Sequence, residues 1–154
     1  LTEKGKKASL LLGKQFADVR WGSVHSSPLI RCQETAEHFL KGAAQELPIN
    51  LSPLLGDPGP FVFDKEKAGA VFLKTAPSKI MQKLLDRETV VGMRTLEEGG
   101  RLFADYLKTL TIFPCLMISH DIIIALLYAY FFKSNSRKLP AYLDGFFLDM
   151  DGLL

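Results

Sequence analysis

The stretch "VHSSPLIRCQETAEHFL", residues 24–40, decides the fold. Val19 to His25 reads as a short strand. Ser27 and Pro28 read as the N-cap and first residue of a helix, because proline's missing N–H is no loss there and the serine hydroxyl can accept a free backbone donor. Leu29, Cys32, Ala36, Phe39 and Leu40 then recur at helical spacing, so this helix buries one face while Arg31, Thr35 and His38 lie off it. The strand-to-helix turn puts Arg31 in the first helical turn. That end of a helix carries about half a positive charge, so a cation there is disfavoured unless an anion is shared nearby.

The same alternation continues outward. Residues 1–16 form an amphipathic helix behind a Thr2 N-cap, with Ala8, Leu11, Leu12 and Phe16 on its apolar face. Residues 48–52 read as a strand, and "LLGDPGPFVFD" (54–64) as a loop turned at Gly56 and Gly59. Residues 68–75 carry no clear period, and Ser78 can cap a helix reaching Leu85. Thr95 and Glu98 form a capping box for a helix through Leu110. A strand over 114–119, a helix over 122–132 and a closing strand over 145–150 complete the pattern. Strands alternating with helices predict an α/β fold with a largely parallel, mixed sheet and helices on both faces. In such sheets ligands bind beyond the carboxyl ends of the strands. Arg31 follows one strand and His120 another, so the two can share one site.

Composition narrows the function. With 154 residues, 47% of them hydrophobic, the chain fits a single domain over residues 1–154. The net charge is +2 and the lysines are scattered, which argues against nucleic acid as a partner. Cys32 and Cys115 sit in apolar surroundings and read as reduced core thiols. Three dispersed histidines and no ligand-spaced Cys or His pair argue against a metal site, and no cofactor is implied. The tract 112–132 is long enough to cross a bilayer, but Pro114, Ser119, His120 and Asp121 interrupt it. A charge at that depth costs roughly 2.5 kcal/mol or more, so a buried strand followed by a buried helix is expected, and no membrane partner. No signal peptide is visible, and a cytoplasmic location is expected.

Three segments resemble the histidine phosphatase superfamily, the phosphoglycerate mutase-like group. "LTEKGKKA" (1–8) is similar to its LTxxGxxQA helix, "SSPLIRCQETAE" (26–37) to its SSPLxRxxQTAE turn, and "ISHDIIIALL" (118–127) to its second-histidine motif. The resemblance implies a three-layer α/β/α sandwich. It also implies a phosphate pocket in which Arg31 and His120 bind the transferring phosphoryl group of a phosphorylated small molecule, or phosphate ion, which supplies the anion that Arg31 needs. As imidazolium, His120 would add charge where phosphoryl transfer needs it. Asp121 resembles the proton donor of the acid-phosphatase branch and is the preferred general acid. Asp57 lies where other relatives place a loop glutamate and is the reserve. The ordinary structural roles of these two carboxylates are an N-cap and an Asx-turn.

The family's nucleophilic histidine, in an Arg-His-Gly-like motif on a central strand, has no counterpart in the sequence. It is expected upstream of residue 1, so that residues 1–154 form an N-terminally incomplete domain. His25 occupies a family position without a catalytic role. The expected activity is that of a phosphomonoester hydrolase acting through phosphohistidine. The alternative is a catalytically silent relative that binds phosphorylated ligands.

Overall fold

Thr2 opens the first helix as its sequence predicts, its hydroxyl accepting from Gly5 N at 3.1 Å. The computed structural model describes residues 1–150. They fall into two compact units, one of Leu1–Asp57 with Leu110–His120, the other of Pro58–Thr109 with the chain from Asp121 onward.

The first unit holds a parallel sheet of β1 (Ser23–Ser26), β2 (Ile49–Leu51) and β3 (Cys115–Ile118), in the order β2-β1-β3. Val24 stands opposite both Ile49 and Leu116. Every pairing in this sheet is parallel, so the mixed sheet expected from sequence is not seen among the described residues. Helix α2 (Ile30–Gly42) packs on the sheet, burying Val24, Ala36 and Leu40 against Leu47, Ile49, Leu116 and Ile118.

Helix α1 (Glu3–Gln15) packs along α2, but not on its leucines. Its buried residues are Gly5, Ser9 and Gly13, at intervals of one helical turn, whereas Leu11 is exposed. Backbone proximity explains the difference. A Cβ on Gly13 would stand 2.0 Å from Phe39 O, and one on Gly42 2.0 Å from Leu10 O. Helices this close admit only small side chains at the seam, which pushes the leucines to its flanks.

The second unit contains α3 (Lys65–Phe72), α4 (Pro77–Leu85), α5 (Leu96–Lys108) and α6 (Asp121–Phe132). The capping box at Thr95 and Glu98 is complete. Gly99 and Gly100 lie inside α5 for a packing reason: Cβ atoms there would meet the Phe61 ring at 2.2 Å and the Tyr130 ring at 2.3 Å. Ser78 does not cap α4, whose N-cap is Ala76. Residues 145–150 form no strand. Phe146 instead packs its ring on Tyr128 and Phe132 at 5.7 and 5.6 Å, covering α6 where a strand would need a ladder partner. No helix among the described residues is long and apolar enough to cross a membrane.

Candidate phosphate site

The three strands end together, and their ends build one cluster. Ser27 N extends the β1–β3 ladder to Ile118 O at 3.0 Å, and Ser52 N continues β2 by donating to Ser26 O at 2.9 Å. Ser119 Oγ then donates to Leu55 O at 2.7 Å, tying the segment after β3 to the short 3-10 turn after β2. Three carboxyl ends are thereby fixed around one point, where an open parallel sheet binds its ligands.

Arg31 and His120 meet there. The Arg31 Nη2 lies 3.0 Å from His120 Nδ1, across 89 residues of sequence. On the other side of the ring, Nε2 lies 2.8 Å from Ser27 Oγ, which also accepts from Leu29 N at 3.3 Å. Guanidinium nitrogens only donate, so Nδ1 accepts and the ring proton resides on Nε2, donated to Ser27. In this arrangement His120 presents Nδ1 to Arg31 as an acceptor and Nε2–H to Ser27 as a donor.

Ser27 has a different task from the one its sequence suggests. The helix starts two residues later than expected, at Ile30, with Leu29 as N-cap and no side-chain cap. The serine hydroxyl, fully buried, is turned to His120 instead. Arg31 still lies in the first turn of α2. Its guanidinium is exposed, beside backbone N–H groups that no side chain caps, which is the donor set that suits an oxyanion.

Cys32 and Gly56 also belong to the cluster. Cys32 is a free, buried thiol with Sγ 3.7 Å from His120 Nε2. Burial holds it above the ordinary thiol value, opposed by the nearby Arg31 charge and by a hydrogen bond from Ser27. Gly56 closes the far side. Its backbone, at φ +148° and ψ 158°, lies so near that a Cβ would stand 2.3 Å from His120 Cδ2 and Nε2 and 2.6 Å from Ser27 Oγ. The sequence reads Ser27 as a cap, Cys32 as core and Gly56 as a turn.

The remaining candidates are placed less directly. Asp57 is exposed and follows Gly56, in a left-handed backbone conformation at φ 57°. Asp121 opens α6, its carboxylate accepting from Ile122 N at 2.7 Å, in keeping with an N-terminal helix role. His25 lies on β1 opposite Asn50 and Met117, half-buried, and burial lowers its pKa. His38, off the apolar face as expected, is half-buried on α2 with Nδ1 2.8 Å from Glu34 O. Among the described residues no group of three or more His, Cys, Asp or Glu side chains is arranged to hold a metal ion.

Residues 1–57 match the family model described as histidine phosphatase superfamily (branch 1). Among solved structures, the chain is similar to the crystal structure of phosphoglycerate mutase from Bacillus anthracis str. Sterne. The TM-score is 0.62 over 91% of this chain and 71% of that one, at 19% identity. No curated protein sequence matches. The structural likeness carries the fold. The family match covers Ser27, Arg31 and the Gly56 loop and ends before His120. Branch 1 is not the acid-phosphatase branch that the His120-Asp121 pair resembles.

Proposed function

We propose that this chain, which carries the histidine phosphatase signature over residues 1–57 on a phosphoglycerate mutase-like fold, holds the phosphoryl group of a phosphomonoester between Arg31 and His120 and hydrolyses the ester. The observation that carries the reading is the 3.0 Å approach of Arg31 to His120 at the carboxyl ends of parallel strands. An exposed guanidinium supplies paired donors to two non-bridging oxygens, and the start of α2 adds backbone N–H groups. His120 supplies a further donor to the charge that builds on those oxygens during transfer. Asp121, or Asp57 beyond Gly56, gives a proton to the departing oxygen. Phosphohistidine formation is the route that the resemblance implies. The motif for that acceptor is absent from residues 1–154, so the reading stands on the phosphate-holding residues.

The test is ligand-dependent stability and turnover on the full-length polypeptide. Inorganic phosphate should raise the melting temperature as a native-state ligand does, and Arg31→Ala should abolish most of that rise. p-Nitrophenyl phosphate should be hydrolysed by the wild type and far more slowly by Arg31→Ala. A phosphate-induced rise that Arg31→Ala leaves unchanged refutes the site, and binding without hydrolysis refutes the hydrolase.

A further inference from the structure

We infer that capture of a phosphoryl anion at this site is coupled to uptake of a proton on His120 Nδ1, with Ser27 as the positioning residue that keeps the ring aimed. The inference rests on the reading of Arg31 and His120 as the phosphate-holding pair. It starts from which atoms can donate. Arg31 Nη2, a pure donor, points at Nδ1 from 3.0 Å, so Nδ1 offers a lone pair. A lone pair repels a phosphoryl oxygen. When Arg31 turns its N–H groups to the anion it gives up Nδ1; with Nε2–H kept on Ser27, whose own hydroxyl is directed to Cys32, that nitrogen becomes a second donor to the anion by gaining a proton, whereas a shift of the ring proton from Nε2 would give binding without uptake.

The ring has little freedom to evade this requirement. Its Nε2–H is held by the buried Ser27 Oγ at 2.8 Å, and Ser27 Oγ is in turn held by Leu29 N. The Gly56 backbone walls the Cδ2–Nε2 edge. The balance is therefore simple. A proton leaves water or buffer, a new N–H bond forms on Nδ1, the Nε2–H bond to Ser27 is kept, and the resulting imidazolium pairs with the anion.

Arg31, Ser27, Gly56 and Cys32, which lie against the ring, do not supply that proton. Arg31 is permanently charged, and Ser27, Ser119 and Gly56 are neutral. Cys32, 3.7 Å from Nε2, is kept as a thiol by burial. The other titratable groups of the neighbourhood are His25 on β1, Asp57 next to Gly56, and Asp121 next to His120 in sequence. His25→Gln controls for His25, and Asp57→Asn and Asp121→Asn proteins that retain the uptake set those two carboxyl groups aside.

Sulfate is the probe, because it is a tetrahedral dianion that does not itself titrate near neutrality. Titration calorimetry of sulfate into the protein, in two buffers of different ionisation enthalpy at pH 7.5 to 8, counts the protons taken up. About one proton per bound sulfate is expected, with apparent affinity falling by up to about tenfold for each pH unit on the alkaline side of the free ring's titration. His120→Gln should bind sulfate without the uptake, and His25→Gln should retain it. Nitrogen NMR on labelled histidine should show His120 Nδ1 unprotonated in the free protein and protonated with sulfate. Sulfate binding without buffer-dependent heat, or uptake that persists in His120→Gln, overturns the inference and leaves the phosphate reading standing. Absence of any binding of sulfate or inorganic phosphate overturns both.

Discussion

Gly56→Ala tests the construction of the site most sharply, because two independent costs fall on one methyl group. The backbone there, φ +148° and ψ 158°, lies in a region essentially reserved for glycine, and an L side chain in it costs about 1–3 kcal/mol. The new Cβ would also stand 2.3 Å from the His120 ring. Ordinary carbon contacts are about 3.5 Å or more, so the ring must retreat by about 1.2 Å or the loop must lift, at about 1–3 kcal/mol for overpacking. Together these cost about 2–6 kcal/mol, a large share of the 5–15 kcal/mol that holds a typical domain folded. A retreat of His120 also takes Nδ1 away from Arg31, and a misplacement of about 1 Å at a reacting centre costs about 100-fold in rate. Urea denaturation should show a lower midpoint with an unchanged slope. At a temperature where the variant remains folded, phosphate affinity and turnover should both fall. A variant with wild-type midpoint and wild-type phosphate affinity would show that Gly56 does not abut His120 and that this account of the site is wrong.

Other perturbations separate structural from chemical roles. Gly69 lies in α3, where an added Cβ meets nothing within 4 Å, so Gly69→Ala should stabilise the protein by about 0.5–1 kcal/mol, read from the same urea midpoint; a loss of stability would contradict the open helix surface. For the general acid, Asp121→Asn should slow an alkyl phosphate by about 100-fold or more but p-nitrophenyl phosphate far less, because nitrophenolate departs largely unaided, while Asp57→Asn should affect both alike. Single-turnover rates decide it, and the reverse pattern would assign the acid to Asp57, as the branch 1 match invites. Burial holds His25 below its ordinary pKa, so as pH falls from about 6.5 the unfolded chain takes up a proton that the folded protein resists, and stability declines until the folded group titrates. His25→Gln should flatten that decline in the urea midpoint between pH 7 and 5; parallel curves for the two proteins would refute it.

The pair on which the proposed phosphate site rests, Arg31 and His120, was legible in residues 24–40 and 118–127 because it is written in local terms. An arginine in the first turn of a helix and a histidine between an apolar strand and an apolar helix are each anomalous by themselves, whatever the rest of the chain does. The same locality made the Thr2 cap, the Thr95–Glu98 box and the long helices readable. Signals failed where a residue's role depends on what approaches it through space. Leu11 has a helical period that predicts burial, yet the seam of α1 and α2 is closed by Gly5, Ser9, Gly13 and Gly42. Residues 145–150 have strand-like composition, but composition provides no ladder partner, and Phe146 found the aromatic rings of α6 instead.

By itself, then, the sequence determined the alternation of strands and helices, the parallel α/β class and the choice of Arg31 and His120 as the candidate pair, because periodicity, capping and helix-end electrostatics act within a few residues. Only the tertiary structure decided how those two side chains meet. It turned Ser27 from a helix cap into the acceptor for His120 Nε2–H, brought the Cys32 thiol beside the ring and pressed the Gly56 backbone against its edge. It also directed Arg31 to Nδ1, which sets the ring's protonation. Each of these depends on contacts between residues 64 to 93 positions apart in the chain, formed where three parallel strands end together, and no local pattern encodes which atoms will face one another there.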